Sequence, residues 1–129
     1  MPINETTSSA EQTIKIGQKL AFNLTGGDIL LLHGDLGAGK TTLVKGLAIG
    51  LKIKEGITSP TFTLMNVYNT KKFKLVHIDT YRLKNADELL EIGVEDYLGD
   101  KNTVCVIEWP EKIASLLKNK KIISVDITH

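Results

Sequence analysis

The stretch His33–Leu43, "HGDLGAGKTTL", constrains the fold more than any other part of the chain. Gly34, Gly37 and Gly39 crowd into six residues directly after the apolar run "ILLL". Glycine loses more backbone freedom on folding than other residues, so a cluster beside a buried run needs a purpose. Gly34-Asp35-Leu36-Gly37-Ala38-Gly39-Lys40-Thr41 has the pattern G-x-x-x-x-G-K-[ST]. An apolar strand precedes it. "TTLVKGLAIGL" follows, with Leu43, Val44, Leu47, Ala48 and Leu51 on one helical stripe. Bare backbone can curl around a phosphate, turning several N–H groups and the helix N-terminus toward negative charge. Lys40 then sets a cation against the outer phosphates, and the Thr41 hydroxyl suits Mg²⁺. The stretch predicts a loop that holds the phosphates of a nucleoside triphosphate: Asp35, Leu36, Gly37, Ala38, Gly39, Lys40 and Thr41, with Thr42 behind them.

The remaining sequence predicts one domain spanning 1–129. Its 42% hydrophobic and 24% charged residues are ordinary for a globular protein. A net charge of +1 argues against a large nucleic-acid or anionic-membrane surface. The lysine clusters Lys71, Lys72 and Lys74, and Lys118, Lys120 and Lys121, read as solvated faces. The single cysteine, Cys105, lies in "TVCVIEW" and reads as a small buried hydrophobe. The start of the sequence does not resemble a signal peptide and no apolar run approaches spanning length, which predicts a cytoplasmic protein without membrane contact.

Ser8 and Glu11 have capping-box spacing ahead of a helix that Gly26 and Gly27 stop. "TFTLMNVYNT" and "KFKLVHIDT", joined by a polar turn, predict an antiparallel hairpin. "NADELLEIG" predicts a short helix ending at Gly93, and "TVCVIEW" a second fully buried strand. "PEKIASLLK" predicts a helix opened by Pro110, and "KIISVDIT" a closing strand. This alternation predicts an α/β, P-loop NTPase-like, three-layer domain: a mostly parallel sheet with an antiparallel hairpin and helices on both faces.

Hydrolysis needs a carboxylate near Mg²⁺ and a group that orients water. In open α/β sheets the ligand lies beyond the carboxyl ends of the strands. "VCVIE" delivers Glu108 there and "LVHID" delivers Asp79. Glu108 is the first choice for the metal, directly or through water, with Asp79 second. Trp109, the single tryptophan, gains interest from its place beside Glu108. His33 and His77 read as core or strand-end histidines rather than bases.

"GDLGAGKTT", "SPTF", "HIDTYRL", Glu88, Gly93 and "IEWPE" occur in an order and spacing that resemble the TsaE (YjeE) family. These are bacterial ATPases of tRNA threonylcarbamoyladenosine biosynthesis, and the resemblance covers nearly the whole chain. It implies that the loop binds ATP and that Thr41 and Glu108 hold Mg²⁺. Ser59 and Thr61 in "SPTF" would sense the γ-phosphate. Asp79 matches an acidic position the family needs, and Trp109 the tryptophan beside the metal-site glutamate. The implied partners are TsaB and TsaD, whose pair stimulates ATP hydrolysis, and tRNA is reached indirectly through the complex. Members of the family can carry a tail past the last strand that helps close the pocket. Here the sequence stops at Thr128–His129, which leaves the adenine contacts open.

Three other readings share the loop. A small-molecule kinase needs arginines to clamp the transferred phosphoryl group, and Arg82 is the only one. A GTPase would be expected to carry N-K-x-D, which is missing. A nucleotide-gated assembly module, with hydrolysis incidental, stays open.

Overall fold

The computed structural model describes residues 2–3, 9–34, 39–54, 65–80 and 87–126. In chain order these form β1 (Pro2–Ile3), α1 (Ala10–Asn23), β2 (Ile29–His33), α2 (Lys40–Gly50), β3 (Met65–Asn69), β4 (Lys74–Asp79), α3 (Asp87–Glu91), β5 (Thr103–Glu108) and β6 (Ile122–Asp126). Short 3₁₀ segments lie at Val94–Asp96 and Pro110–Leu117.

The strands make one sheet in the order β1-β6-β2-β5-β4-β3, parallel except for the β3–β4 hairpin. The two strands without polar punctuation, β2 and β5, sit side by side at its centre, where both faces are covered. Every residue of β5 is buried, as are the first four of β2. Alternation along the strands splits the core in two. Leu30, Leu32, Leu75, Val104, Val106 and Val125 pack with residues of α1 and α2 such as Leu20, Leu43 and Leu47. Ile29, Leu31, Val76, Ile78, Cys105 and Ile107 pack with Leu89, Val94, Leu98, Ile113 and Leu117. The three-layer α/β architecture stands as the sequence implied. The six clustered lysines are exposed, and Lys121 pairs with buried Asp28 at 3.0 Å.

Helix α1 starts one residue later than the spacing of Ser8 and Glu11 suggested. Ser9 is the cap, accepting from the Gln12 N–H at 3.2 Å. Ser9-x-x-Gln12 has the same capping spacing as Ser8-x-x-Glu11, so spacing alone could not choose between them. The edge strand β1 was not legible. Its two residues are paired only with distant β6, at Pro2↔Ser124 and Ile3↔Val125. "PEKIASLL" is not α-helical but 3₁₀, broken by the dihedrals of Ile113 (φ −124°, ψ 23°). Ile113 is fully buried, and seating it against the sheet outweighs regular helix geometry in so short a crossover. The first two residues of "NADELLEIG" and the first four of "TFTLMNVYNT" lie outside the described residues.

Cys105 is buried as expected, and its Sγ lies 3.6 Å from the Tyr97 carbonyl. Burial, and then the Asp100 carboxylate, push its thiol from the ordinary 9.0 up to about 12. The folded chain thus keeps a proton that the unfolded chain releases. Stability is unaffected by this group below pH 9 and declines as pH rises from there toward 12, by at most about 1.4 kcal/mol per pH unit. Denaturant melts of wild type and Cys105→Ala from pH 8 to 10.5 should converge as pH rises. A constant gap between the two would contradict the assignment.

Candidate nucleotide site

The carboxyl ends of three adjacent strands are level with one another. Leu32 of β2 is in register with Glu108 of β5, and Asp79 of β4 pairs with Glu108 from the other side. Strand β2 lies between β5 and β6, which are consecutive in the chain but on opposite sides of it. The crevice at such a switch point is where open α/β sheets take ligands.

Gly34 follows β2, and α2 begins at Lys40 behind Gly39. Gly39 adopts the left-handed conformation (φ 104°, ψ 17°), which a side chain would strain. The N-cap, Gly39, has no side chain with which to cap the helix, and a helix N-terminus favours an anion. Lys40 is only 5% exposed despite its charge. Its Nζ donates to the Gly34 carbonyl and stands 3.9 Å from the centroid of the Trp109 ring, a cation–π contact. Thr41 and Thr42 are half-buried in the first helical turn. Asp35, Leu36, Gly37 and Ala38 lie outside the described residues, as do Ser59, Thr61 and Arg82.

Glu108 is 3% exposed, and a buried carboxylate requires a partner. It has one: His77 Nε2 lies 2.5 Å from Glu108 Oε2. His77 is fully buried, on the same alternating face of β4 as Leu75 and Asp79. Asp79 itself is half-buried at the strand end. Trp109 has left-handed dihedrals (φ 60°, ψ 52°), unusual for a bulky residue. Thr80 holds this corner in place. Its hydroxyl donates to the Glu108 carbonyl at 3.0 Å and also bonds the Trp109 carbonyl, while its N–H reaches the Glu108 carbonyl at 3.2 Å.

Among the residues the sequence singled out, the fold therefore gathers Gly34, Gly39, Lys40, Asp79, Glu108 and Trp109 at one end of the sheet, with Thr41 and Thr42 beginning α2. Sequence reasoning missed two contributors. His77 is the core histidine expected, but its partner is the metal-candidate glutamate, 31 residues away. The available signal was its spacing of two from Asp79, which puts both on one face of the strand. Thr80 gave no signal, since a threonine after a strand is ordinary. His33 is a strand-end residue whose Nδ1 meets the exposed Glu111 at 3.2 Å, a surface pair of small energetic weight.

The donor chemistry suits a hard cation beside phosphate. A hydroxyl (Thr41) and a carboxylate (Glu108) are oxygen donors of the kind Mg²⁺ takes, usually few in number with water completing the sphere. Among the described residues no group of three or more His, Cys, Asp or Glu is placed to hold a metal ion. Among them, too, no helix is long and apolar enough to cross a membrane.

The family model "Threonylcarbamoyl adenosine biosynthesis protein TsaE" matches residues 7–129. The tRNA threonylcarbamoyladenosine biosynthesis protein TsaE of Treponema pallidum is 46% identical over 109 residues, 84% of this chain and 79% of that protein. The protein of that name from Bacillus subtilis is 40% identical over 116 residues, 90% of this chain and 72% of that one. The crystal structure of YdiB from Bacillus subtilis superposes with a TM-score of 0.74 at 35% identity, over 93% of this chain and 73% of that one. The loop between β2 and α2, the paired acids at the sheet's end and these likenesses place the chain in the TsaE family of tRNA threonylcarbamoyladenosine biosynthesis proteins.

Proposed function

We propose that the chain is the ATP-binding and ATP-hydrolysing subunit of threonylcarbamoyladenosine formation in tRNAs that read ANN codons. It acts with TsaB and TsaD in the cytoplasm, is not itself the transferase, and meets tRNA through the complex. The observation that carries this is Lys40: a buried cation in the first turn of a helix whose N-cap is glycine, one strand away from the buried Glu108.

Each residue has a role under this reading. The loop from Asp35 to Gly39 wraps the phosphates with backbone N–H groups, and Thr42 extends that cradle into the helix. Lys40 neutralises the outer phosphates and supports the charge that develops on the transferred group. Thr41 and Glu108 hold Mg²⁺, which supplies charge neutralisation at the phosphate oxygens when bound. Asp79 orients the attacking water, and Ser59 and Thr61 report the γ-phosphate. Trp109 packs beside the lysine and makes the site optically observable. Adenine is favoured over guanine because the sequence carries no N-K-x-D stretch.

Turnover by the chain alone should be slow, because part of the catalytic set resides on its partners. The test of the binding half is direct. Mg-ATP titrated into the purified chain should change the emission of its single tryptophan saturably, with GTP weaker. Calorimetry showing no heat for ATP under the same conditions would contradict the assignment.

A further inference from the structure

The contact between His77 and Glu108 asks for more than packing. Its neighbours Leu75, Val76 and Ile78 fill their places in β4 with hydrocarbon and are fully buried. A leucine at 77 would fill similar space with no polar atom to satisfy. The imidazole instead leaves Nδ1 buried with no hydrogen-bond partner among the described residues. An unmet buried polar atom is destabilising. Against that cost the chain gains a single directed hydrogen bond. A carboxylate oxygen can only accept, so the ring carries its proton on Nε2 and donates to Glu108 Oε2 at 2.5 Å. With Oε2 engaged, Oε1 is the oxygen left to face a cation or a cation-bound water.

We propose that His77 is a positioning residue for the metal-site carboxylate: by holding Glu108 Oε2 from inside the sheet, it fixes the rotamer that offers Oε1 to Mg²⁺. The proposal rests on the Mg-ATP reading above. Groups that orient a metal-binding carboxylate change metal affinity by roughly 10–100-fold when removed. Glu108 cannot hold itself, since a strand-end glutamate has three torsions to order. Thr80 secures only the backbone of the corner.

The test follows nucleotide binding by the whole chain as Mg²⁺ is titrated, read by tryptophan emission or calorimetry rather than by turnover. His77→Leu should leave magnesium-free ATP affinity unchanged and raise the Mg²⁺ midpoint about tenfold. His77→Gln, whose amide nitrogen reaches the place of Nε2, should return most of that loss. His77→Asn, whose amide nitrogen stops at the place of Nδ1, should not. The two amides burden the core similarly, so their difference isolates the reach to Glu108 even where the leucine variant unfolds. A folded His77→Leu with the wild-type midpoint, or equal midpoints for the two amides, overturns the positioning role. Wild-type ATP binding that ignores Mg²⁺ overturns the Mg-ATP reading and this proposal with it, an outcome seen before any variant is made.

Discussion

Lys40→Ala is expected to weaken ATP binding at least about tenfold and to lower partner-stimulated turnover by about a hundredfold or more. The first figure follows from losing charge-assisted hydrogen bonds to phosphate, worth roughly 1.5–3 kcal/mol. The second follows from removing a preorganised charge where the reaction builds negative charge, typically a factor of about 10²–10³. The present surroundings of Lys40 prepare it for this task. The Gly34 carbonyl and the Trp109 ring hold the ammonium at the loop's edge, so little side-chain entropy is left to lose on binding. Lys40→Arg should not rescue the function. A planar fork with a longer reach does not replace a compact ammonium in a buried slot beside an indole. Calorimetry and a phosphate-release assay check both variants, and thermal melts confirm that they fold. Wild-type ATP affinity in folded Lys40→Ala would remove the loop from the proposed site.

Gly17→Ala should destabilise the fold by about 2–3 kcal/mol, lowering the melting temperature by roughly 10 °C. On helix propensity alone the same change would stabilise α1 by about 1 kcal/mol. Sterics decide the sign. A Cβ at Gly17 would lie 2.4 Å from the Leu43 carbonyl oxygen, 2.8 Å from the Gly46 Cα and 2.8 Å from the Leu47 nitrogen, all backbone atoms that cannot rotate away. Gly46 is as tight, with its added Cβ 2.3 Å from the Ile14 carbonyl oxygen. The two glycines let α1 and α2 touch backbone to backbone, and α2 is the helix whose N-terminus carries Lys40. Pushing the helices apart should therefore also weaken nucleotide binding in whatever fraction stays folded. A Gly17→Ala protein melting at or above the wild-type temperature would refute the close packing.

What could be read from the sequence was whatever depends on local pattern. The loop motif needs eight residues in a row, and β2 and β5 are uninterrupted apolar runs, so both were legible, and β2 and β5 lie side by side at the centre of the sheet. The stripe on α2 is a 3.6-residue period, and all five of its members are buried. What escaped depends on chain segments far apart. β1 is a strand only because β6 lies beside it, 122 residues later for Pro2. Ile113, with non-helical dihedrals, is buried in the core beside residues from distant strands, which its neighbours in sequence do not reveal. His77 looked like one more buried strand residue. Only the parallel register of β4 and β5 brings its ring against Glu108. The acids themselves follow from a positional rule, the carboxyl ends of the central strands, where Asp79 and Glu108 stand in register.

The central claim is a partner-activated ATPase whose metal site includes Glu108. Phosphate release from Mg-ATP by the chain alone, with TsaB and TsaD together, and with the same pair and Glu108→Ala tests it most directly. The account predicts slow turnover alone, strong stimulation by the pair, and loss of that stimulation in the variant while ATP still binds. Stimulated turnover that survives Glu108→Ala would contradict the metal assignment, and ATP-dependent association with the pair without any rise in turnover would contradict the ATPase itself.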